Sequence, residues 1–125
     1  MLDLDYFKRI NDEHGHATGD AVPRQISDTL REQTRRDDVV CRLGGEEFCV
    51  LLPRTDSGEA RRMAERLREA IAALRCRHNE AALTLTASIG VASTATPGEQ
   101  LDPMLHMADK KLYEAKFGGR NRVAC

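Results

Sequence analysis

The 125-residue chain has no excess of basic charge: 19 Lys+Arg face 20 Asp+Glu, for a formal charge of −1. A surface that grips nucleic acid without sequence preference needs such an excess. No nucleic-acid partner is therefore expected, and any phosphate recognition has to be local. Long apolar runs are missing too. Stretches such as Phe48-Cys49-Val50-Leu51-Leu52 are far too short to span a bilayer, so no membrane contact is expected from this chain. The opening Met1-Leu2-Asp3-Leu4-Asp5 carries acids where a secretory leader carries Lys or Arg, and no apolar segment follows. That points to the cytoplasm. The four cysteines, Cys41, Cys49, Cys76 and Cys125, form no C-x-x-C pair. Zinc and a disulfide framework are both disfavoured on that spacing and in that compartment. Cys41 and Cys49 lie in apolar runs and read as small buried residues. No repeat, low-complexity tract or linker interrupts the chain. Thr94-Ala95-Thr96-Pro97-Gly98 is the single long-loop signal.

What is present fits one domain, residues 1–125, able to bury about two thirds of its unfolded surface. Apolar residues at 41% and charged residues at 31% argue for a folded chain. Ala60, Met63, Ala64, Leu67, Ile71 and Leu74 recur at helical spacing between Glu59 and Arg75, after a capping sequence Asp56-Ser57-Gly58-Glu59. A second helix is predicted from Leu101 to Lys116, opened by Asp102-Pro103 and closed by Gly118-Gly119. A third runs from Asp20 to Arg35, with Pro23 tolerated in its first turn. Leu83, Leu85, Ala87, Ile89 and Val91 alternate like a strand. Val39–Leu43 and Glu47–Leu52 read as a hairpin turning at Gly44-Gly45. Short strands are predicted at Met1–Leu4 and Arg122–Ala124. The order β–α–β–β–α–β–α–β, with a hairpin in the middle, predicts an α/β (α+β) sandwich of ferredoxin-like type: a mostly antiparallel sheet with helices packed on it.

Three acids have the positions for chemistry. Asp3 ends the first strand, Glu46 sits at the hairpin tip and Glu47 follows it. In a ferredoxin-like sheet those strands can be neighbours. Converging carboxylates repel unless a cation lies between them, and hard oxygens favour Mg²⁺ or Mn²⁺. Acids also simply flank turns, and glycines simply make them. Gly44 and Gly45 would equally let a ligand approach the backbone. Phe7-Lys8-Arg9-Ile10-Asn11-Asp12 follows the first strand directly. A strand entering a helix offers free N–H groups that suit phosphate, and Lys8 adds charge. Asn11 could be a surface residue and Asp20 a helix cap. His14 and His16 flank Gly15 without a matching ligand set, and His16 reads as part of a loop. Tyr113 reads as a packing residue.

Taken in order, these blocks resemble the GGDEF domain of diguanylate cyclases. They are 3–12 (DLDYFKRIND), 15–20 (GHATGD), 42–48 (RLGGEEF), 88–91 (SIGV) and 108–122 (ADKKLYEAKFGGRNR). Residues 44–48 give a GGEEF variant of the signature. The resemblance implies a palm-type fold related to nucleotide cyclases and condensation of two GTP into cyclic di-GMP. It implies two Mg²⁺ or Mn²⁺ ions per active site, held by Asp3, Glu46 and the Leu4 carbonyl. Glu47 would be a further ligand or the proton acceptor. Lys8, Lys116 and Arg120, with backbone N–H groups near Tyr6 and Phe7, would neutralise the triphosphate. Asn11 and Asp20 would read guanine, and Gly44 and Gly45 would lie under the nucleotide. The family works as a homodimer, each 3′-hydroxyl attacking the other's α-phosphate, often as the cytoplasmic part of a larger sensor. Arg35 and Asp38 match its R-x-x-D product-inhibition motif, with Arg66 as a second arginine. A GTP- or cyclic di-GMP-binding module without turnover is the alternative. The family ordinarily carries an N-terminal helix and a longer first strand before Asp3. Weak stability and low or absent cyclase activity are therefore expected from this chain alone.

Overall fold

The structure, a computed structural model, describes residues 1–78, 81–95 and 100–125. Its elements are β1 (Leu2–Leu4), α1 (Phe7–His14), α2 (His16–Gln33), β2 (Val39–Gly44), β3 (Glu47–Leu51), α3 (Ser57–Ala73), β4 (Cys76–His78), β5 (Ala81–Leu83), β6 (Ala87–Gly90), α4 (Leu101–Phe117) and β7 (Val123–Ala124). Five strands form one mixed sheet in the order β2-β3-β1-β6-β7. β1 is antiparallel to β3 and to β6, β2 is antiparallel to β3, and β7 joins β6 in parallel. Without β7 this is the ferredoxin-like arrangement that the sequence predicted. β4 and β5 pair separately as a small hairpin.

Alternation along β1 sorts its residues between two faces. Leu2 faces Phe48 on one side and Ile89 on the other, while Asp3 faces Glu47 and Ser88. The leucine face is the core: Leu2, Leu4, Phe48, Ala87 and Ile89 pack with Val22, Ile26 and Leu30 of α2 and with Met63, Leu67 and Ile71 of α3. Phe48 is fully buried, worth about 2–3 kcal/mol on its own. The Asp3 face is covered by α4. A Cβ added to Gly90 would lie 2.1 Å from the Ala108 carbonyl oxygen and the Leu112 nitrogen, so only glycine lets the helix lie on β6. That close approach brings Lys116, near the end of α4, over the end of β1.

α3 carries its predicted cap: the Asp56 carboxylate accepts the Glu59 N–H at 2.8 Å. Elsewhere the structure corrects the prediction. α2 begins at His16, so His16 opens a helix instead of lying in a loop, and Pro23 stands well inside it. The cost of that proline is met by burial, since Pro23 is fully enclosed. The long strand expected between Leu83 and Val91 is split at 84–86, which lie outside both β5 and β6; Leu85 stays buried, and the Thr86 carbonyl accepts the Asp5 N–H at 2.9 Å. Cys41 is exposed because β2 is the sheet edge; Cys49 is buried as expected. Tyr113 is 67% exposed and stacks on Phe117 at 6.0 Å between ring centroids. Thr96, Pro97 and Gly98 of the long-loop signal lie outside the described residues.

Candidate active site

Asp3 is 7% exposed. Its Oδ2 accepts from the Lys116 Nζ at 2.8 Å. Burial pushes its carboxyl above the ordinary value of 3.8. The Lys116 hydrogen bond and charge pull it back, and the charges of Glu46 and Glu47 push it up further. Three carboxylates are thus near enough to feel one another, and a lysine answers the deepest of them. Glu47 faces Asp3 in register, and the Glu46 carbonyl accepts the Leu4 N–H at 3.1 Å. Leu4 itself is buried in the core by its side chain. The donors gathered here are carboxylate and carbonyl oxygens, which fit a hard divalent cation. Among the described residues, no group of three His, Cys, Asp or Glu side chains is drawn close enough to hold a metal.

The two hairpin glycines differ. Gly45 has φ +44, so the turn itself demands glycine. Gly44 has no such backbone, and an added Cβ would meet nothing within 4 Å. The fold therefore does not require glycine at 44, which leaves room for a ligand as its use. Arg42 steadies the turn, its Nε and Nη2 donating to the Gly45 carbonyl at 3.1 and 2.9 Å. Nothing in the sequence reading had singled out Arg42.

The start of α1 is open: no side chain caps it. Lys8 is exposed there, whereas the Phe7 ring is buried in the core, so only its backbone faces a ligand. Asn11 packs against Gly19, the residue before the exposed Asp20; a Cβ on Gly19 would lie 3.0 Å from the Asn11 Oδ1. That oxygen is buried and has no hydrogen-bond partner among the described residues.

Asp5 was quoted within the opening motif without a role, and it proves to be the organising acid. It is 4% exposed. Its Oδ1 accepts from the Ser88 hydroxyl at 2.7 Å, and its Oδ2 from the Thr86 hydroxyl at 2.6 Å and the Asn121 N–H at 3.0 Å. It thereby ties β1 to β6 and to the turn after α4. In that turn Arg120 and Asn121 both have positive φ, 64° and 45°. The Arg120 guanidinium lies 4.7 Å from the Tyr6 ring centroid, and the Arg9 guanidinium 5.5 Å from the same ring. The hydroxyl residues Thr86 and Ser88, alternating with the apolar Leu85, Ala87 and Ile89, were the available signal for Asp5.

Arg35 and Asp38 lie away from this cluster of acids. They close a reciprocal turn: the Arg35 N–H donates to Asp38 Oδ2 at 2.7 Å, and the Asp38 N–H to the Arg35 carbonyl at 3.1 Å. With Arg36, Asp37, Pro53 and Arg54 they line a cavity of about 280 Å³. Arg66 does not line it. Its Nη2 donates to the Gln33 carbonyl at 2.6 Å. A larger cavity, about 650 Å³, lies between α3, α4 and the sheet, walled by residues such as Leu51, Met63, Leu67 and Leu105. It contains none of Asp3, Glu46, Glu47 or Lys116.

Comparison with known proteins covers nearly the whole chain. Residues 1–122 match the family model "Diguanylate cyclase, GGDEF domain". The chain is similar to diguanylate cyclase DgcP of Pseudomonas aeruginosa, at 44% identity over 98% of the chain and 18% of that protein. The other curated relatives it matches are likewise several times its length. Its structure superposes on the GGDEF domain of PA1120 (YfiN or TpbB) from P. aeruginosa with a TM-score of 0.90 and 37% identity, covering 98% of this chain and 77% of that one. The GGDEF domain of DgcB from Caulobacter crescentus, solved with c-di-GMP, gives 0.86 and 34%, covering 98% and 73%.

Proposed function

The chain belongs to the GGDEF family of diguanylate cyclases, and from that premise we propose that it condenses two GTP into cyclic di-GMP, releasing two pyrophosphates. The observation that carries this reading is the buried Asp3, paired with Lys116 and facing Glu47 at the hairpin. Asp3, Glu46 and the Leu4 carbonyl would hold two Mg²⁺ or Mn²⁺ ions. Bound there, they would supply activation of the 3′-hydroxyl and stabilisation of charge on the α-phosphate and the leaving pyrophosphate. Glu47, exposed at the start of β3, serves as proton acceptor or further ligand. Lys8, Lys116 and Arg120 neutralise the triphosphate, together with the uncapped N–H groups around Phe7.

Gly44 and Gly45 let the nucleotide lie over the turn. Asn11 and Asp20 read guanine: a carboxylate accepts from the guanine N1–H and amino group, and adenine has no N1–H. The unpaired Asn11 oxygen is an acceptor awaiting a donor. Each site holds one GTP, so two chains meet about a two-fold axis. Arg35, Asp38 and the neighbouring Arg66 hold the product as inhibitor. The setting is cytoplasmic; among the described residues no helix is long and apolar enough to cross a membrane.

The alternative is a binding module without turnover. The loose grouping of the acids among the described residues favours it. Incubation with GTP and Mg²⁺, read by chromatography and mass spectrometry, decides. Cyclic di-GMP that disappears in Glu46→Ala and Glu47→Ala supports the cyclase. Metal-dependent GTP binding with no product supports the module. Neither binding nor product would overturn both.

A further inference from the structure

The sheet edge carries a pair of thiols that the nucleotide chemistry does not use. Cys41 of β2 and Cys49 of β3 are direct partners across the antiparallel pair. Both are free, Cys41 exposed and Cys49 buried. Directly opposed residues put their side chains on the same face. Their Cα atoms are about 4.5 or 5.5 Å apart, depending on the kind of pair. Either separation lies within the range of about 4.4–6.8 Å that a disulfide spans. The register irregularity of this hairpin falls between Arg42 and Gly44, beyond the pair, so their opposition is undisturbed. We propose that Cys41 and Cys49 form a peroxide-reactive dithiol that closes into a cross-strand disulfide.

The exposed Cys41 is the group a small oxidant reaches first, and the enclosed Cys49 is the resolving thiol. The Cys41 thiolate attacks one oxygen of hydrogen peroxide. The O–O bond breaks, leaving Cys41 as a sulfenic acid and hydroxide, which takes up the thiol's proton as water. The Cys49 sulfur then attacks the Cys41 sulfur. The S–O bond breaks, and hydroxide leaves with the Cys49 proton as a second water. Two thiols and one peroxide give one disulfide and two waters.

Among the described residues, β2 has β3 as its sole neighbour in the sheet. The new bond therefore staples the edge strand at the base of the turn that carries Gly44, Gly45, Glu46 and Glu47. By strand alternation the pair shares its face with Glu47, about 7 Å along β3. The site stands whether or not the chain makes cyclic di-GMP.

Arg42 separates the two cysteines, so trypsin places them in peptides 37–42 and 43–54. The reduced, intact chain is treated with one equivalent of hydrogen peroxide, alkylated and digested without reductant. The expected product is those two peptides joined, lighter by two hydrogen atoms and separated again by dithiothreitol. The joined species should vanish in Cys41→Ser. In Cys49→Ala, which removes a single sulfur atom from the buried position, dimedone should label Cys41. Oxidation of Cys41 to sulfinic acid with Cys49 still alkylatable, cross-linking of Cys41 to Cys125, or recovery of all thiols unreacted would each overturn the proposal.

Discussion

Two parts of the molecule concentrate charge, and they do so in opposite ways. At the end of β1, Asp3 and Asp5 are nearly closed off from solvent, and each oxygen with a named partner is met by a lysine, a hydroxyl or a backbone N–H. At the turn 35–38, charge lies in the open; the Arg54–Asp37 pair, at 2.6 Å, has side chains 78% and 67% exposed. A charge taken out of water needs its partners, so the first region bears on both fold and chemistry. A charge left in water contributes little to stability, so the second has to be explained by what it binds. Substitutions at five positions sharpen or break this contrast.

The largest effect is expected at Asp5. Asp5→Ala strands the Thr86 and Ser88 hydroxyls and frees the Asn121 N–H. Loss of a buried, charged acceptor with three donors should cost about 3 kcal/mol or more, measured by urea denaturation. An unchanged midpoint would mean that the buried network is decoration.

Asp3 should behave in the opposite sense. Its carboxyl is raised above 3.8 chiefly by burial, so the folded state binds that proton more readily than the unfolded chain does. Stability from this group is therefore lost as pH rises through the raised value, and recovered as pH falls toward 3.8. Asp3→Asn should stabilise the metal-free chain at neutral pH by about 1 kcal/mol, a gain that fades in acid. The same change should abolish metal-dependent GTP binding. A variant that is both less stable and still binding would contradict the role given to Asp3.

These two acids also mark how far the sequence could be read. The hairpin, the Asp56 cap, α3 and α4 were legible because glycine, capping chemistry and helical periodicity are local signals. The break between α1 and α2 was not, since it rests on the single residue Gly15 with φ +85. The β4–β5 hairpin escaped notice because the Leu83 end of β5 was read into the alternation of β6, although β4 and β5 pair with each other. Asp3, Glu46 and Glu47 stood out by position and motif. The contacts that define them did not: Lys116, named only for the triphosphate, and Asn121 reach the end of β1 from more than a hundred residues away, and Asp5 was given no role. The exposure of Cys41 was hidden for the same reason, because an edge strand and a central one look alike in one dimension.

Tyr6 tests whether the well-ordered region extends to its exposed rim. The ring is 56% exposed yet lies under both Arg9 and Arg120. Each such contact is worth about 0.5–1 kcal/mol at an exposed site. Tyr6→Leu should weaken GTP binding by a few-fold to about tenfold through Arg120, with little change in stability. Tyr6→Phe, which keeps the ring, should restore it. Equal losses in the two variants would assign the effect to the hydroxyl instead.

The smallest effect on the fold belongs to the open region. Asp37→Ala removes the partner of Arg54, and Arg35→Ala leaves its own backbone N–H still bonded to Asp38. Each should change stability by less than about 0.5 kcal/mol, since exposed pairs in water are screened and mobile. Binding should separate them. Arg35 lines the cavity of about 280 Å³, and a guanidinium fork suits phosphate or the guanine edge. Its loss should weaken cyclic di-GMP binding at least tenfold by calorimetry, while GTP binding at the distant cluster of acids stays level. If Arg35→Ala weakened GTP binding equally, the two charged regions would be one site. If it destabilised the chain by several kcal/mol, the open region would be structural, and the contrast drawn between the two would fail.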